Sequence, residues 1–174
     1  MRERLVSAAS KSRQTIVPVR IPVLFALAVV LLDQVTKFAL IDLMASRGFV
    51  PLDILPVFSL VMVWNTGVSF GLFAGHPDET RWVLMAVNLV VAVALFVWLR
   101  RMQPGIVRLA LAGVAGGAVG NAIDRAVHGA VADFFDFHVG TWAWPAFNVA
   151  DIAISLGVVV LLLDSLFGGG KAAK

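Results

Sequence analysis

Four apolar runs, each close to the length that crosses a bilayer, take up most of this chain and leave little sequence for anything else. They extend from Ile21 to about Ile41, Trp82 to Leu99, Ile106 to Ile123 and Phe147 to Phe167. A helix of roughly 20 residues matches the hydrocarbon thickness of a membrane. The composition agrees: 60% hydrophobic and 14% charged residues, with a mean hydropathy of +0.91, lie far from the balance of a soluble domain. The 174 residues suffice for about four to five such spans, so the expected architecture is all-α, a four-transmembrane-helix bundle forming one membrane-embedded domain over 21–167. Polar or Gly/Pro-containing breaks agree with the boundaries: HPDET before the second run, RRMQPG between the second and third, and GGGKAAK after the fourth. A cleavable leader does not fit the first run, which continues through Asp33 and Lys37 with no small-residue cleavage site.

Basic residues set the orientation. Arg2, Arg4, Lys11, Arg13 and Arg20 precede the first run, Arg100, Arg101 and Arg108 surround the second turn, and Lys171 and Lys174 end the chain, ten of the fourteen in all. By the positive-inside rule the tails 1–20 and 168–174 are both cytoplasmic. The net charge of +3 then reads as topology and contact with membrane lipids, with no nucleic acid as partner. Asp33, Asn65, Asp124, Asp133 and Asp151 all fall near the outer face.

Between the first two spans, GFVPLDILPVFSLVMVWNTGVSFGLFAG is rich in β-branched and aromatic residues and is broken by Pro51 and Pro56. Short extended segments at the interface are expected there, and not another span. Trp64, Trp142 and Trp144 suit an interfacial aromatic belt. In the third span Gly113, Gly117 and Asn121 recur at intervals of four, with Gly116 and Gly120 as a second small pair, a face that lets another helix approach closely. Asp124 and Arg125 end that stripe. Asp33 and Lys37 are an i, i+4 pair suited to mutual neutralisation or to a lipid headgroup.

Ionisable groups are costly at a membrane, so Asp133 and Asp151 are the first candidates for chemistry. Asn148, Asp151 and Ser155 share a helical face, with Asp133 expected in an outer loop or short interfacial helix. Brought together, two carboxylates repel and one keeps its proton, leaving one acid and one base for water attack on a peptide carbonyl. A structural ion pair, or a proton relay through Asp33, Asp124, Asp133 and Asp151, uses the same residues, though a relay requires carboxylates through the bilayer depth. The chain has no cysteine, HExxH, GxSxG or Walker motif, nor the G-x-G-D motif of one class of intramembrane aspartyl proteases. His128, Asp133 and His138 fit no common metal spacing, so neither a metal nor a cofactor is expected.

The ordered set DQVTK (33–37), WNTGVSFG (64–71), GGAVGNAIDR (116–125), VADFF (131–135) and FNVADIAIS (147–155) resembles lipoprotein signal peptidase, the bacterial signal peptidase II, over roughly residues 22 to 165. The resemblance implies an aspartyl endopeptidase of the bacterial cytoplasmic (inner) membrane with its active site near the outer leaflet. It removes the signal peptide of prolipoproteins just before a diacylglyceryl-modified cysteine. It implies Asp133 and Asp151 as the catalytic dyad, supported by Asp33, Lys37, Asn65, Gly67, Gly117, Asn121, Asp124, Arg125, Asn148 and Ala150. It also implies a small extramembrane β-structured cradle, a monomer, and the family inhibitor globomycin as a ligand of the site. Two departures stand out. Ser69 occupies a position where the family usually has alanine, and the basic N-terminus is longer than usual.

Overall fold

The computed structural model describes residues 19–67 and 77–167; Ser69 and most of both tails lie outside the described residues. The described chain runs α1 (Arg20–Ser46), β1 (Leu52–Leu55), β2 (Phe58–Asn65), α2 (Pro77–Leu99), α3 (Ile106–His128), β3 (Val131–Val139), β4 (Trp142–Ala143) and α4 (Val149–Phe167). The four helices coincide with the four apolar runs, and each is long and apolar enough to cross a membrane. Three of them run further than the apolar pattern. α1 continues to Ser46, α2 begins at Pro77 and α3 ends at His128, because a helix need not stop where its hydrophobic face does. α4 starts at Val149, two residues later than expected, since Phe147 pairs with strand β3.

α3 is the central post. Within the most apolar window of each helix, 72% of α3 is buried against 11% for each of the others. Small residues make this possible. A Cβ at Gly116 would lie 2.7 Å from the Ala26 carbonyl of α1, and one at Gly117 would lie 2.5 Å from the Ala150 carbonyl of α4. The glycine stripe is therefore two faces, one per neighbour, and α4 answers with Gly157, whose Cβ would come 2.9 Å from the Ala110 carbonyl. Ala115 and Ala118 on a third side pack with Ala92 of α2. The outer faces of α1, α2 and α4 expose Leu31, Phe38, Val90, Leu156 and Leu166, a surface that is favourable only in lipid.

The expected extended segments form an antiparallel sheet in the order β1-β2-β3-β4. Asp133 corrects the expectation of an outer loop or short helix, for it lies on strand β3, opposite Val63 of β2. Register places Phe58 opposite Phe137 and Leu60 opposite Phe135. Opposed residues share a face and alternate residues along a strand do too, so Asp133, Phe135 and Phe137 point to one side. Phe58, Phe135, Phe137 and Phe147 pack there, with ring centroids 4.9 to 5.9 Å apart. Phe134, on the opposite face, is fully buried. Gly129, at φ 82°, takes the left-handed conformation that ends α3 and returns the chain into β3.

Candidate functional site

The start of α4 illustrates how the sequence positions its polar groups. Asn148 immediately precedes the helix, and its side-chain oxygen accepts the Asp151 N–H at 3.0 Å. Asp151 Oδ2 in turn accepts the Asn148 N–H at 3.2 Å. This is the reciprocal capping box, built here from N-x-x-D. The Asn148 amide is left free to donate elsewhere, and it reaches Asp133 Oδ1 at 2.6 Å. One asparagine thus touches both carboxylates.

Each carboxylate has a second donor. Asn65, at the end of β2, donates to Asp133 Oδ2 at 2.9 Å, while its own oxygen accepts the Gly67 N–H at 2.8 Å. Gly67 has φ 79°, a left-handed conformation that favours glycine, and a Cβ there would also make the tip of the Leu84 side chain of α2 move aside. Asn121 of α3 donates to Asp151 Oδ1 at 2.9 Å. The Arg125 guanidinium donates to the Asn121 carbonyl at 3.3 Å, and its Nη2 is 3.5 Å from where a Cβ on Gly67 would be. Asp133 is 2% exposed and Asp151 is half-buried, so one side of the pair opens outward.

Burial pushes the Asp133 carboxyl up to about 6. The Asp151 charge pushes the same way, and the Asn65 and Asn148 amides and the Lys37 charge pull it back.

Beneath the pair lies a fully buried ionic network. Lys37 Nζ sits 2.8 Å from Asp33 Oδ2, 2.8 Å from Asp124 Oδ2 and 3.1 Å from Asn121 Oδ1. Asp124 also accepts the Ala132 N–H at 3.1 Å, and Asp33 the Ala150 N–H at 2.9 Å. The twelve residues named as the pair and its supports therefore gather at one end of the bundle. Eleven of the twelve take part through side-chain or backbone hydrogen bonds, Arg125 by donating to the Asn121 carbonyl, and Gly117 takes part by letting Ala150 approach α3.

Sequence reasoning missed Gln34 and Ala132. The amide of Gln34 lies 3.1 Å from Asp33 Oδ2 and 3.0 Å from Asp124 Oδ1, a role signalled only by its place beside Asp33 on the helix turn that carries Lys37. Ala132 contributes a backbone group, for which side-chain reading has no signal. His128 and His138 lie apart from the network: His128 packs on Trp64 at 5.2 Å, and His138 pairs with Asp136 on the face of β3 opposite Asp133. Among the described residues no three His, Asp or Glu side chains converge as metal ligands.

Four apolar helices, with a buried polar network and a carboxylate pair at one end, define a multi-pass membrane protein organised around a compact polar site. Residues 25–167 match the family model described as signal peptidase (SPase) II. Among relatives, the chain is 44% identical to the lipoprotein signal peptidase of Methylobacterium radiotolerans, covering 88% of this chain and 90% of that one. It is 48% identical to that of Methylorubrum extorquens, covering 80% and 82%. The protein belongs to the signal peptidase II family and is by that membership a bacterial membrane peptidase. A solved structure described as a bacterial membrane enzyme superimposes with a TM-score of 0.71 at 25% identity, covering 86% of this chain and 94% of that one. A second, at 24% identity and a TM-score of 0.69, shares the fold.

Proposed function

We propose that this protein is an aspartyl endopeptidase that removes the signal peptide of prolipoproteins, cutting just before the diacylglyceryl-modified cysteine with Asp133 and Asp151 as its catalytic pair. The observation that carries the reading is the sharing of Asn148 between the two carboxylates. It holds them side by side in different surroundings, one buried on a strand and the other half-open at a helix start.

That difference supports a division of roles. Asp133, with its raised affinity for a proton, is the acid. Asp151, facing the backbone N–H and the positive end of the α4 dipole, is the base. Asp151 takes a proton from water, the water oxygen bonds to the scissile carbonyl carbon, and Asp133 donates its proton to the oxygen on which charge develops. Collapse of that adduct breaks the C–N bond: the proton held by Asp151 passes to the leaving nitrogen, and the hydroxyl that Asp133 had protonated returns its proton to Asp133 as the C=O bond of the new carboxyl forms. The pair ends with its starting complement of protons, and no covalent intermediate forms.

Family membership and the position of the site support the choice of substrate. The pair lies at one end of helices that span the membrane, with the apolar face of β3 extending away from Asp133. A diacylglyceryl anchor, contributing about 0.8 kcal/mol per buried methylene, would hold the scissile bond at one depth. The positive-inside reading puts that depth at the outer leaflet and both tails in the cytoplasm.

The test uses purified wild type, Asp133→Asn and Asp151→Asn in detergent, with cleavage of a diacylglyceryl-modified prolipoprotein followed by gel shift. Wild type cleaves, and each variant stays folded with a loss of about 10³-fold or more. Near-wild-type cleavage by either variant means that the pair is wrongly assigned, and no cleavage by wild type means that the substrate is.

A further inference from the structure

Ala132 and Ala150 immediately precede Asp133 and Asp151, and the backbone N–H of each is held by a carboxylate from a different helix. Asp124 of α3 holds the first and Asp33 of α1 the second. These two holding carboxylates are themselves tied together twice. Lys37 Nζ bridges their Oδ2 atoms at 2.8 Å each. The Gln34 amide bridges Asp33 Oδ2 and Asp124 Oδ1 at 3.1 and 3.0 Å, and also lies 3.3 Å from the Gly120 carbonyl. A continuous chain of contacts therefore joins the two catalytic candidates through Ala132, Asp124, Gln34 with Lys37, Asp33 and Ala150.

We propose that Gln34, acting with Lys37, is a strut that fixes the separation of Asp133 and Asp151, so that α1 sets the geometry of the pair without touching the substrate. Asp33 and Asp124 are 0% and 2% exposed, where two carboxylates repel strongly. One ammonium offsets the charge, yet it is a point charge on a flexible stem and fixes no direction. The Gln34 amide is planar with two hydrogens in fixed positions, so it holds the two carboxylates at a set span. Both grip main-chain groups adjacent to the pair, and a displacement of about 1 Å at reacting groups can cost a hundredfold in rate. The inference rests on the assignment of Asp133 and Asp151 as the catalytic pair.

The test is Gln34→Met, which keeps the volume and helix preference of glutamine and removes both amide hydrogens. The full-length variant is assayed beside wild type and Asp133→Asn. A strut predicts a kcat at least tenfold lower with KM within twofold. It also predicts that the alkaline limb of the pH–rate profile moves about half a unit to lower pH, because carboxylates that drift apart repel less. Gln34→Glu, which sets a third carboxylate against Asp33 and Asp124, loses more.

An unchanged kcat and limb in Gln34→Met, or a rise in KM alone, overturns the strut. Should Gln34→Met not stay folded, Gln34→Asn, one methylene too short to span both carboxylates, is judged by the same criteria. The two ideas fail separately. Cleavage by Asp133→Asn removes the catalytic assignment, whereas an inactive Asp133→Asn beside an unimpaired Gln34→Met removes only the strut.

Discussion

Asn148 and Asp151 exchange a reciprocal pair of hydrogen bonds across the first turn of α4, so the residue that starts the helix also aims the carboxylate. Two duties in one side chain can be separated by mutation. Loss of a cap costs about 1 kcal/mol, which a folded bundle tolerates. The same change releases Asp133 Oδ1 from its 2.6 Å partner. Asn148→Ala is expected to lower Tm by a few degrees and cleavage by about a hundredfold, measured by thermal unfolding in detergent and by kcat on the prolipoprotein. Activity that falls only in proportion to the unfolded fraction would show that capping is its whole role.

Asp133 binds its proton more tightly in the folded chain than in the unfolded one, with a value of about 6 against the ordinary 3.8. Its stabilising contribution is complete below the ordinary value and is lost as pH rises through about 6. Wild type should therefore lose stability between pH 4.5 and 7.5, by on the order of 2 kcal/mol from this group. In Asp133→Asn that component is absent, so the fall should be correspondingly smaller. Parallel unfolding curves at the two pH values decide it, and equal falls in the two proteins would remove Asp133 as the source.

Gly117 has no room for a methyl group. Its Cβ would lie 2.5 Å from the Ala150 carbonyl and 2.8 Å from Ile154 Cγ1, and a backbone carbonyl cannot swing aside. Gly117→Ala should push out the first turn of α4, and Asp151 with it, costing about 1–3 kcal/mol and most of the activity. Gly105→Ala, where nothing lies within 4 Å, should leave Tm and cleavage as they are. Equal behaviour of the two variants would contradict this close packing of α3 against α4.

Orientation can be read chemically, because the chain has no cysteine of its own. Arg47 and Arg101 are both exposed, at the ends of α1 and just beyond α2. A membrane-impermeant maleimide should label Arg47→Cys in spheroplasts and Arg101→Cys only after lysis. The opposite pattern would invert the proposed topology.

The spans were legible because a bilayer dictates length and apolarity at once, whereas their ends depend on what lies above the membrane. α1 passes Asp42 and reaches Ser46 as a helix, although the apolar pattern has already stopped. The extended character of β1 and β2 was visible in their β-branched and aromatic residues. β3 was not, since VADFFDFHV alternates around Asp133 and becomes a strand by pairing with β2, a partner distant in sequence. For the site, the acidic and asparagine positions could be named, whereas the cap that Asn148 forms with Asp151 emerged only with the start of α4 at Val149. Ser155 shares the Asp151 face by spacing but is exposed and takes no part in the network described. Gln34 stayed hidden because an uncharged amide in an apolar run gives almost no signal until its two acceptors are brought together.

The burial of α3 bears on how such a protein is made. It has the lowest mean hydropathy of the four candidate spans, 1.6 against 2.0 to 2.5, and it carries Asn121, Asp124 and Arg125. As it leaves the translocon, α1 and α2 already exist, while α4, which packs on Gly117, has yet to be synthesised. A nascent chain ending before α4 should therefore remain near the insertion machinery or be degraded by membrane proteases, and pulse-chase of such a truncation beside the full-length chain measures it. Biogenesis is then expected to pause on the helix that meets the least lipid in the finished bundle.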